Sequence, residues 1–187
     1  MLVIGVIHGD ETAGLAIVDR LKTLDIPDGI DLWLVDSMNP DGMAANVRLN
    51  ADQVDLNRNF PYNWGPIAQI GDWEWAGPGP ASEPETRAMV DFITDIHPDL
   101  VIWYHQDLNR ISPSTGRGGA IRARYSQLTG VPLVTISGGT YTGVASTWAS
   151  KHLDGGVAFI VELGPTLSDE EADIHAHAVL TIASENN

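Results

Sequence analysis

Two side chains that can bind a metal ion follow the first apolar run of the chain. His8 and Glu11 are three residues apart in His-Gly-Asp-Glu, directly after the apolar residues 2–7. At the carboxyl end of a strand, both can turn toward the crevice in which α/β sheets bind ligands. The chain has no cysteine, so any metal site must use His and carboxylate ligands. The pair alone also fits a loop histidine beside an acid that caps a helix.

Two further candidates end later apolar runs. His105 ends the run 100–105 and would complete a catalytic zinc site, which commonly has three protein ligands and one position open to water. Glu162 lies near the end of the run 157–163, where a carboxylate near a zinc-bound water could take up a proton and pass it to a leaving amine. The alternatives are a histidine at a solvated strand end and an acid bonded to a loop amide or an arginine.

The segment Asp-Leu-Asn-Arg-Asn-Phe-Pro at residues 55–61 fits neither a helix nor a strand period. Arg58 can bind a carboxylate through two parallel hydrogen bonds, and Asn57 can add a directional one. Arg48, ten residues earlier, is a second cation for an oxyanion or a substrate acid. These arginines would alternatively tie the loops to nearby acids, which are abundant in this chain.

The elements that position these residues alternate between strands and helices. Apolar runs predict strands at residues 2–7, 30–36, 100–105, 133–136 and 157–163. Helical spacing and capping signals predict helices at residues 12–24, 82–96, 119–129 and 168–184, the second and fourth opening with a capping box. The alternation predicts a three-layer α/β/α sandwich on a mixed, mostly parallel sheet. The long irregular segment 39–81 is then best explained as a functional loop system.

Composition limits the partners. The 187 residues predict a single domain spanning 1–187, and 25 acidic against 10 basic residues give a net charge of −15. So acidic a surface argues against nucleic acid and against anionic membranes as partners. The first apolar run is too short for a signal segment or a membrane span, which leads us to expect a cytoplasmic protein.

The order of these motifs resembles the zinc carboxypeptidase superfamily, the M14 metallopeptidases. The shared elements are His8-x-x-Glu11, Asn39-Pro40-Asp41-Gly42, Arg48, Asp55-x-Asn57-Arg58-Asn59-Phe60, His105 and Glu162. With Ser82-Glu83-Pro84-Glu85-Thr86-Arg87, the set is similar to the bacterial murein-peptide amidase branch, which cleaves γ-D-glutamyl–diaminopimelate bonds in wall peptides.

The resemblance implies a fold, a cofactor and roles. It implies one Zn²⁺ held by His8, Glu11 and His105, with Glu162 as general acid/base. Arg48 would stabilise the oxyanion, and the pair Asn57 and Arg58 would hold the free carboxylate of a small peptide substrate. Tyr141 is the candidate for a tyrosine that covers the substrate, and Ser146 for a residue lining the specificity pocket.

The chain departs from the family pattern at its beginning. Relatives usually carry more residues before the first zinc-ligand strand, so the sheet is expected to be shortened there and to expose an edge that could form a homodimer. Two other activities remain open, a general metallocarboxypeptidase and an N-acyl-amino-acid deacylase of the succinylglutamate desuccinylase and aspartoacylase type. A catalytically weak zinc module that only binds peptides is the alternative to an enzyme.

Overall fold

A four-stranded sheet forms the centre of the protein, seen in a computed structural model that describes every residue from Met1 to Asn187. All neighbouring strands are parallel, in the order β2-β1-β3-β4. The strands are β1 (Leu2–Val6), β2 (Trp33–Ser37), β3 (Leu100–Gln106) and β4 (Val157–Leu163). Because parallel strands run the same way, their carboxyl ends meet at one edge of the sheet.

Six α-helices cover the two faces of the sheet. They are α1 (Gly14–Leu21), α2 (Pro40–Ala45), α3 (Pro84–Ile96), α4 (Gly116–Thr129), α5 (Ala145–His152) and α6 (Asp169–Glu185), with a 3-10 helix at Leu56–Arg58. Helices α1, α4 and α6 pack together over one face, while α3 and α5 lie over the other. The predicted α/β/α sandwich is confirmed. None of the helices combines the length and the apolar composition needed to cross a bilayer.

The apolar runs of the strands serve two cores. Side chains alternate along a strand, so Ile102 packs with the α1, α4 and α6 layer while Trp103 packs with the α3 and α5 layer. A strand covered on both faces needs apolar residues at nearly every position, which explains the unbroken runs in the sequence. Both cores share one sheet, and the single domain over 1–187 remains our interpretation.

The sheet differs from the prediction in two respects. It is parallel throughout rather than mixed, because every connection between paired strands crosses over through a helix or a long loop. Residues 133–136 form no strand: only Leu133 makes an isolated bridge, to Ile111. Leu133 and Val134 are both about two-fifths exposed, so the apolar run has no second layer against which to pack.

The helix ends also refine the prediction. Helix α3 begins at Pro84 after Glu83, not with a capping box at Ser82, whose hydroxyl bonds Asn59 and Glu83 instead. The capping box at Ser168 is confirmed, and α4 ends as predicted at Thr129, before Gly130 in a left-handed conformation. Helix α2 was not predicted, since it is too short to show a clear period, and no bounds were predicted for α5.

Candidate metal centre and active site

Three of the predicted site residues lie at the carboxyl edge of three neighbouring strands. His8 follows β1, His105 is the sixth residue of β3, and Glu162 is the sixth residue of β4. His105 and Glu162 are directly paired in the register of β3 and β4. Distant parts of the sequence therefore meet because the strands are parallel and adjacent.

Glu11 joins the two histidines. Its Oε1 lies 2.8 Å from Nδ1 of His8, and its Oε2 lies 2.9 Å from Nδ1 of His105. The backbone N–H of Gln106 also donates to Oε2 at 3.1 Å. One ligand atom from each of the three side chains lies within 4.8 Å of the others. This is a compact set of two imidazoles and one carboxylate.

The charges of this cluster are mutually dependent. Burial opposes ionisation of Glu11, but hydrogen bonds from His105 and His8 outweigh it and hold the pKa of Glu11 well below its usual value. Burial also disfavours the His8 imidazolium, yet Asp55 and Glu11 raise the pKa of His8. For His105 burial prevails, and the pKa lies below that of an exposed histidine. A divalent cation bound here would take the place of these histidine hydrogen bonds as the partner of the Glu11 carboxylate.

Asp55 supports the cluster from behind. Its Oδ1 lies 3.0 Å from Nε2 of His8 and accepts the backbone N–H of Asn57 at 2.8 Å, which starts the 3-10 helix. Its Oδ2 accepts Nη2 of Arg48 at 2.7 Å. Asp55 is fully buried, and its partners hold its pKa well below the usual value although burial alone would raise it. The carboxylate thus fixes the ring of His8 and the side chain of Arg48 together.

Arg48 lies directly over the candidate metal ligands. Its Nη1 is 3.1 Å from Oε1 of Glu11 and 3.0 Å from Nδ1 of His8. Its Cζ is 4.8 Å from the centre of the Trp73 ring, which covers it from the solvent side. The alternative interpretation, that this arginine binds acids of the chain itself, therefore holds for Arg48, and the acids are Glu11 and Asp55 of the site.

Asn57 and Arg58 line the cavity next to this cluster. The side-chain oxygen of Asn57 accepts the backbone N–H of Ala145 at 3.0 Å. Arg58 is buried, and its Nη2 donates to Oε1 of Glu74 at 2.7 Å. The ring of Tyr141 stacks on Arg58 with 5.3 Å between Cζ and the ring centre, and Tyr141 is half exposed. The predicted carboxylate-binding arginine thus already holds a carboxylate of its own chain.

One close backbone approach and two side-chain hydrogen bonds of Asn39 hold the loops of the site. A Cβ on Gly9 would lie 2.0 Å from the carbonyl carbon of Gly42, so any side chain there would separate the His8 loop from the start of α2. Asn39 caps α2 by accepting the N–H of Gly42 and donates to the carbonyl of Arg48. The Asn-Pro-Asp-Gly motif therefore positions both Arg48 and the loop that carries the candidate metal ligands His8 and Glu11.

The segment from Ser82 to Arg87 has a supporting role. Asn59 donates to the Ser82 hydroxyl and accepts the backbone N–H of Glu83. Glu83, itself buried, accepts from the Asn50 amide at 2.7 Å. These bonds tie the start of α3 to both sides of the Asp-Leu-Asn-Arg-Asn-Phe segment, so the two motifs belong to one structural unit.

Glu162 differs from the other acids of the site. Its carboxylate makes no hydrogen bond within the protein, and its Oε2 is buried without a partner. Burial and the nearby charge of Glu11 raise the pKa of Glu162 to about 7. The alternative interpretation, in which a loop amide or an arginine side chain holds the Glu162 carboxylate, is therefore wrong. A poorly solvated carboxylate with a pKa near neutrality suits a general base.

All nine predicted site residues line one cavity of about 690 Å³. Ser146, the second residue of α5, is nearly buried in its wall. The same wall contains residues that the sequence did not single out, namely Trp73, Glu74, Gln106, Arg110 and Arg122. Asp55, which supports the site from behind, was part of a quoted motif, and its position two residues before Asn57 was the sequence signal for that role. The others lie in no motif.

Residues 1–113 match the zinc carboxypeptidase family. The chain is also 32% identical to murein peptide amidase A of Escherichia coli K12, over 97% of this chain and 78% of the relative. The chain belongs to the zinc carboxypeptidase family. It is therefore a hydrolase of that family, whose members act on peptides and whose name implies zinc.

Solved structures of the zinc carboxypeptidase family share the fold. Murein-tripeptide amidase MpaA from Escherichia coli O157 superposes with a TM-score of 0.79 at 28% identity, over 97% of this chain and 80% of that one. The carboxypeptidase A of Helicoverpa armigera has a TM-score of 0.81 at 18% identity, over 98% of this chain and 60% of that one. The zinc carboxypeptidase-like fold is confirmed.

Proposed function

We propose that His8, Glu11 and His105 hold one Zn²⁺ ion. Two imidazoles and one carboxylate are a ligand set that zinc hydrolases use, and they leave a position open. The buried Asp55 behind His8 is the outer partner that orients metal-bound imidazoles through their second nitrogen. The Nη1 of Arg48 now faces two of the three ligands, so it must retreat when the cation binds, while its bond to Asp55 can remain.

The residues around the ligands then divide the chemistry. Zinc in such a site supplies Lewis acidity and lowers the pKa of water toward ~7. The Glu162 carboxylate takes a proton from the attacking water and returns it to the leaving nitrogen. Arg48, freed from the ligands, donates to the oxygen on which negative charge develops. The unpaired, buried Oε2 of Glu162 is consistent with a group kept available for proton transfer.

The substrate's free carboxylate binds beside this centre. Asn57 and Arg58 are the donors for it, Tyr141 covers it, and Ser146 lines the pocket for the adjacent side chain. Arg58 is held by Glu74, so the substrate carboxylate has to compete with that contact. Arg58 contacts Glu74 through Nη2 alone, so a substrate carboxylate that binds the guanidinium through two parallel hydrogen bonds would make the stronger contact.

The reaction we propose is hydrolysis of an amide whose leaving group carries a carboxylate, namely the γ-D-glutamyl–diaminopimelate bond of murein peptides. The observation that carries the chemistry is the meeting of His8, Glu11, His105 and Glu162 at one edge of the sheet with Arg58 in the same cavity. The choice of murein peptides rests on the relatives named murein peptide amidase that match 97% of the chain.

Side-by-side assays test the proposal. Zinc-loaded protein is given a γ-D-Glu-diaminopimelate peptide, a dipeptide with a free C-terminal carboxylate and an N-acyl amino acid. We expect the first to be turned over with the highest kcat/KM. Faster turnover of the second or third would instead assign a general metallocarboxypeptidase or a deacylase. The Glu162→Gln variant serves as the inactive control, and equal turnover by it would remove Glu162 from the mechanism.

Two further expectations are also proposals. Strand β2 is one edge of the sheet and is only partly buried, with Trp33 two-fifths exposed, which is the surface we propose for a homodimer. Light scattering of the purified chain tests it, with Trp33→Lys as the variant expected to be monomeric. The cytoplasmic location stays a prediction from the sequence, and fractionation of the cells tests it.

A further inference from the structure

The cavity contains two cations that the proposed reaction does not use. Of the ten Lys and Arg residues, five form ion pairs with carboxylates: Arg20, Lys22, Arg48, Arg58 and Arg124. The other five form none, Arg110 and Arg122 among them, although acids outnumber bases in this chain by 25 to 10. Both line the cavity of the active site. Two cations without a carboxylate partner in one cavity of so acidic a protein indicate a site that binds an anionic group of a ligand.

Arg122 is anchored but not neutralised. It projects from α4, and its terminal nitrogens donate to the backbone carbonyls of Ser112 and Ala158 at 3.0 and 3.1 Å. Its Nε is buried without a partner, and its Cζ lies 5.6 Å from the centre of the Phe159 ring. The carbonyls fix the plane of the guanidinium but leave its charge uncompensated. Burial alone lowers the pKa of Arg122, since no acid is close enough to offset it.

Arg110 is held only through its backbone. Its N–H donates to the carbonyl of Glu162 at 2.9 Å and its carbonyl accepts the N–H of Glu162 at 3.0 Å. Its guanidinium makes no hydrogen bond, and its Nε is buried without a partner. A buried donor without a partner costs free energy unless a ligand satisfies it. The antiparallel bridge therefore positions a free guanidinium beside the general base.

We infer that Arg110 and Arg122 bind a second anionic group, carried by the side chain of the leaving residue. This inference rests on the proposed function and narrows its substrate class to leaving groups with two carboxylates. One carboxylate of the leaving residue binds Asn57 and Arg58, and the other binds Arg110 and Arg122. Diaminopimelate has a carboxylate at each end, whereas lysine is the same skeleton without the second one. The two amino acids are thus a matched pair of ligands.

Calorimetry with free meso-diaminopimelate and free lysine tests the inference without turnover. We expect zinc-loaded protein to bind diaminopimelate about tenfold more tightly than lysine, because diaminopimelate makes one more charge-assisted contact. Arg110→Met and Arg122→Lys should reduce this ratio, the first nearly to one. Arg117→Met is the control, because Arg117 lies on the same α4 helix but bonds the carbonyl of Gly155 outside the cavity.

The kinetic arm separates recognition from an effect on Glu162. The γ-D-Glu-diaminopimelate and γ-D-Glu-lysine peptides are compared for each variant. A rise in KM for the diaminopimelate peptide alone supports the inference. An equal change in kcat for both peptides, with a shifted pH profile, would make Arg110 a positioning residue for Glu162 and overturn it. An unchanged binding ratio in both folded variants would also overturn it.

Failure of the proposed function gives a different pattern. If neither murein peptide is cleaved but the binding ratio persists and falls in the variants, the two-carboxylate pocket stands and the reaction is wrong. If both peptides are cleaved equally and the ratio is near one, the reaction stands and the pocket is wrong. Circular dichroism and thermal unfolding of each variant confirm that the comparison is between folded proteins.

Discussion

The Nε2 atom of His8 lies 3.0 Å from Oδ1 of Asp55, and both side chains are buried. This contact leaves Nδ1 of His8 as the nitrogen that faces Glu11 and the cavity. Because the same carboxylate binds Arg48 and starts the 3-10 helix at Leu56, one residue links the proposed metal ligands to the proposed substrate-binding segment. Asp55 therefore sets the orientation of the site without lining it.

Loss of the Asp55 charge should weaken metal binding. We expect Asp55→Asn to lower zinc affinity by about 10–100-fold, the usual effect of removing an outer carboxylate from a histidine ligand. Competition against a chromophoric chelator measures the affinity. Asp52→Asn is the control, because Asp52 is exposed in the same loop. Equal zinc affinities for Asp55→Asn and the parent would show that Asp55 acts only on the fold.

Removal of the Glu162 carboxylate should abolish proton transfer and leave the metal. We expect Glu162→Gln to lower kcat by about 10²–10⁴-fold with zinc stoichiometry unchanged, since Glu162 makes no contact with the ligands through its carboxylate. Metal analysis by mass spectrometry and steady-state kinetics measure the two quantities. Loss of zinc from the variant would contradict the assignment of Glu162 as a base rather than a ligand.

The raised pKa of Glu162 predicts how kcat/KM depends on pH. Burial and Glu11 raise the pKa of Glu162 to about 7, and the base is active only when deprotonated, so kcat/KM should rise with pH through this region. A bound cation favours the carboxylate, which moves the midpoint below 7 in the zinc-loaded enzyme. An acid limb that persists unchanged in the residual activity of Glu162→Gln would assign the titration to another group.

The strand ends of this site could be predicted from sequence, and the reason is general. Runs of apolar residues mark strands that are covered on both faces, so β1, β3 and β4 were located to within a residue. A polar residue directly at the end of such a run must lie at the sheet edge. His8, His105 and Glu162 could therefore be assigned to one crevice before any distance was known.

Charge pairing could not be predicted in the same way. Arg48 and Arg58 were each compatible with substrate binding or with acids of the chain, and sequence spacing does not decide between them. Glu74 reaches Arg58 because the irregular loop 61–80 returns over the cavity, and no period marks such a path. The absence of a carboxylate partner for Arg110 and Arg122, whose Nε atoms are buried without a hydrogen bond, is likewise a property of the folded cavity alone.

Release of Arg58 from Glu74 should improve substrate binding. Nη2 of Arg58 and Oε1 of Glu74 are 2.7 Å apart, and Glu74 is about a quarter exposed. We expect Glu74→Gln to lower KM by about fivefold, corresponding to an ion pair of about 1 kcal/mol, with little change in kcat. Glu170→Gln, on the exposed side of α6, is the control. A higher KM for Glu74→Gln would mean that Glu74 contacts the substrate itself.

A buried histidine that does not line the cavity should make the fold sensitive to acid. His175 accepts from or donates to the Tyr125 hydroxyl at 2.7 Å, and Tyr125 in turn contacts the Tyr104 hydroxyl at 2.7 Å. Burial lowers the pKa of His175 to about 4, below the ordinary value of 6.5, and only Glu171 opposes this shift. The folded state thus keeps His175 neutral where the unfolded chain would protonate it.

The sign of the effect follows from proton linkage. Between pH 6.5 and about 4 the unfolded state binds more protons than the folded state. The free energy of unfolding therefore decreases as the pH is lowered through this range, by up to about 3 kcal/mol from His175. Urea denaturation of metal-free protein at several pH values measures it. Other acids titrate in the same range, so the difference between the parent and His175→Phe isolates this residue. His177→Gln, exposed on the same helix, should retain the slope of the parent; a parallel slope in His175→Phe would mean that His175 does not carry it.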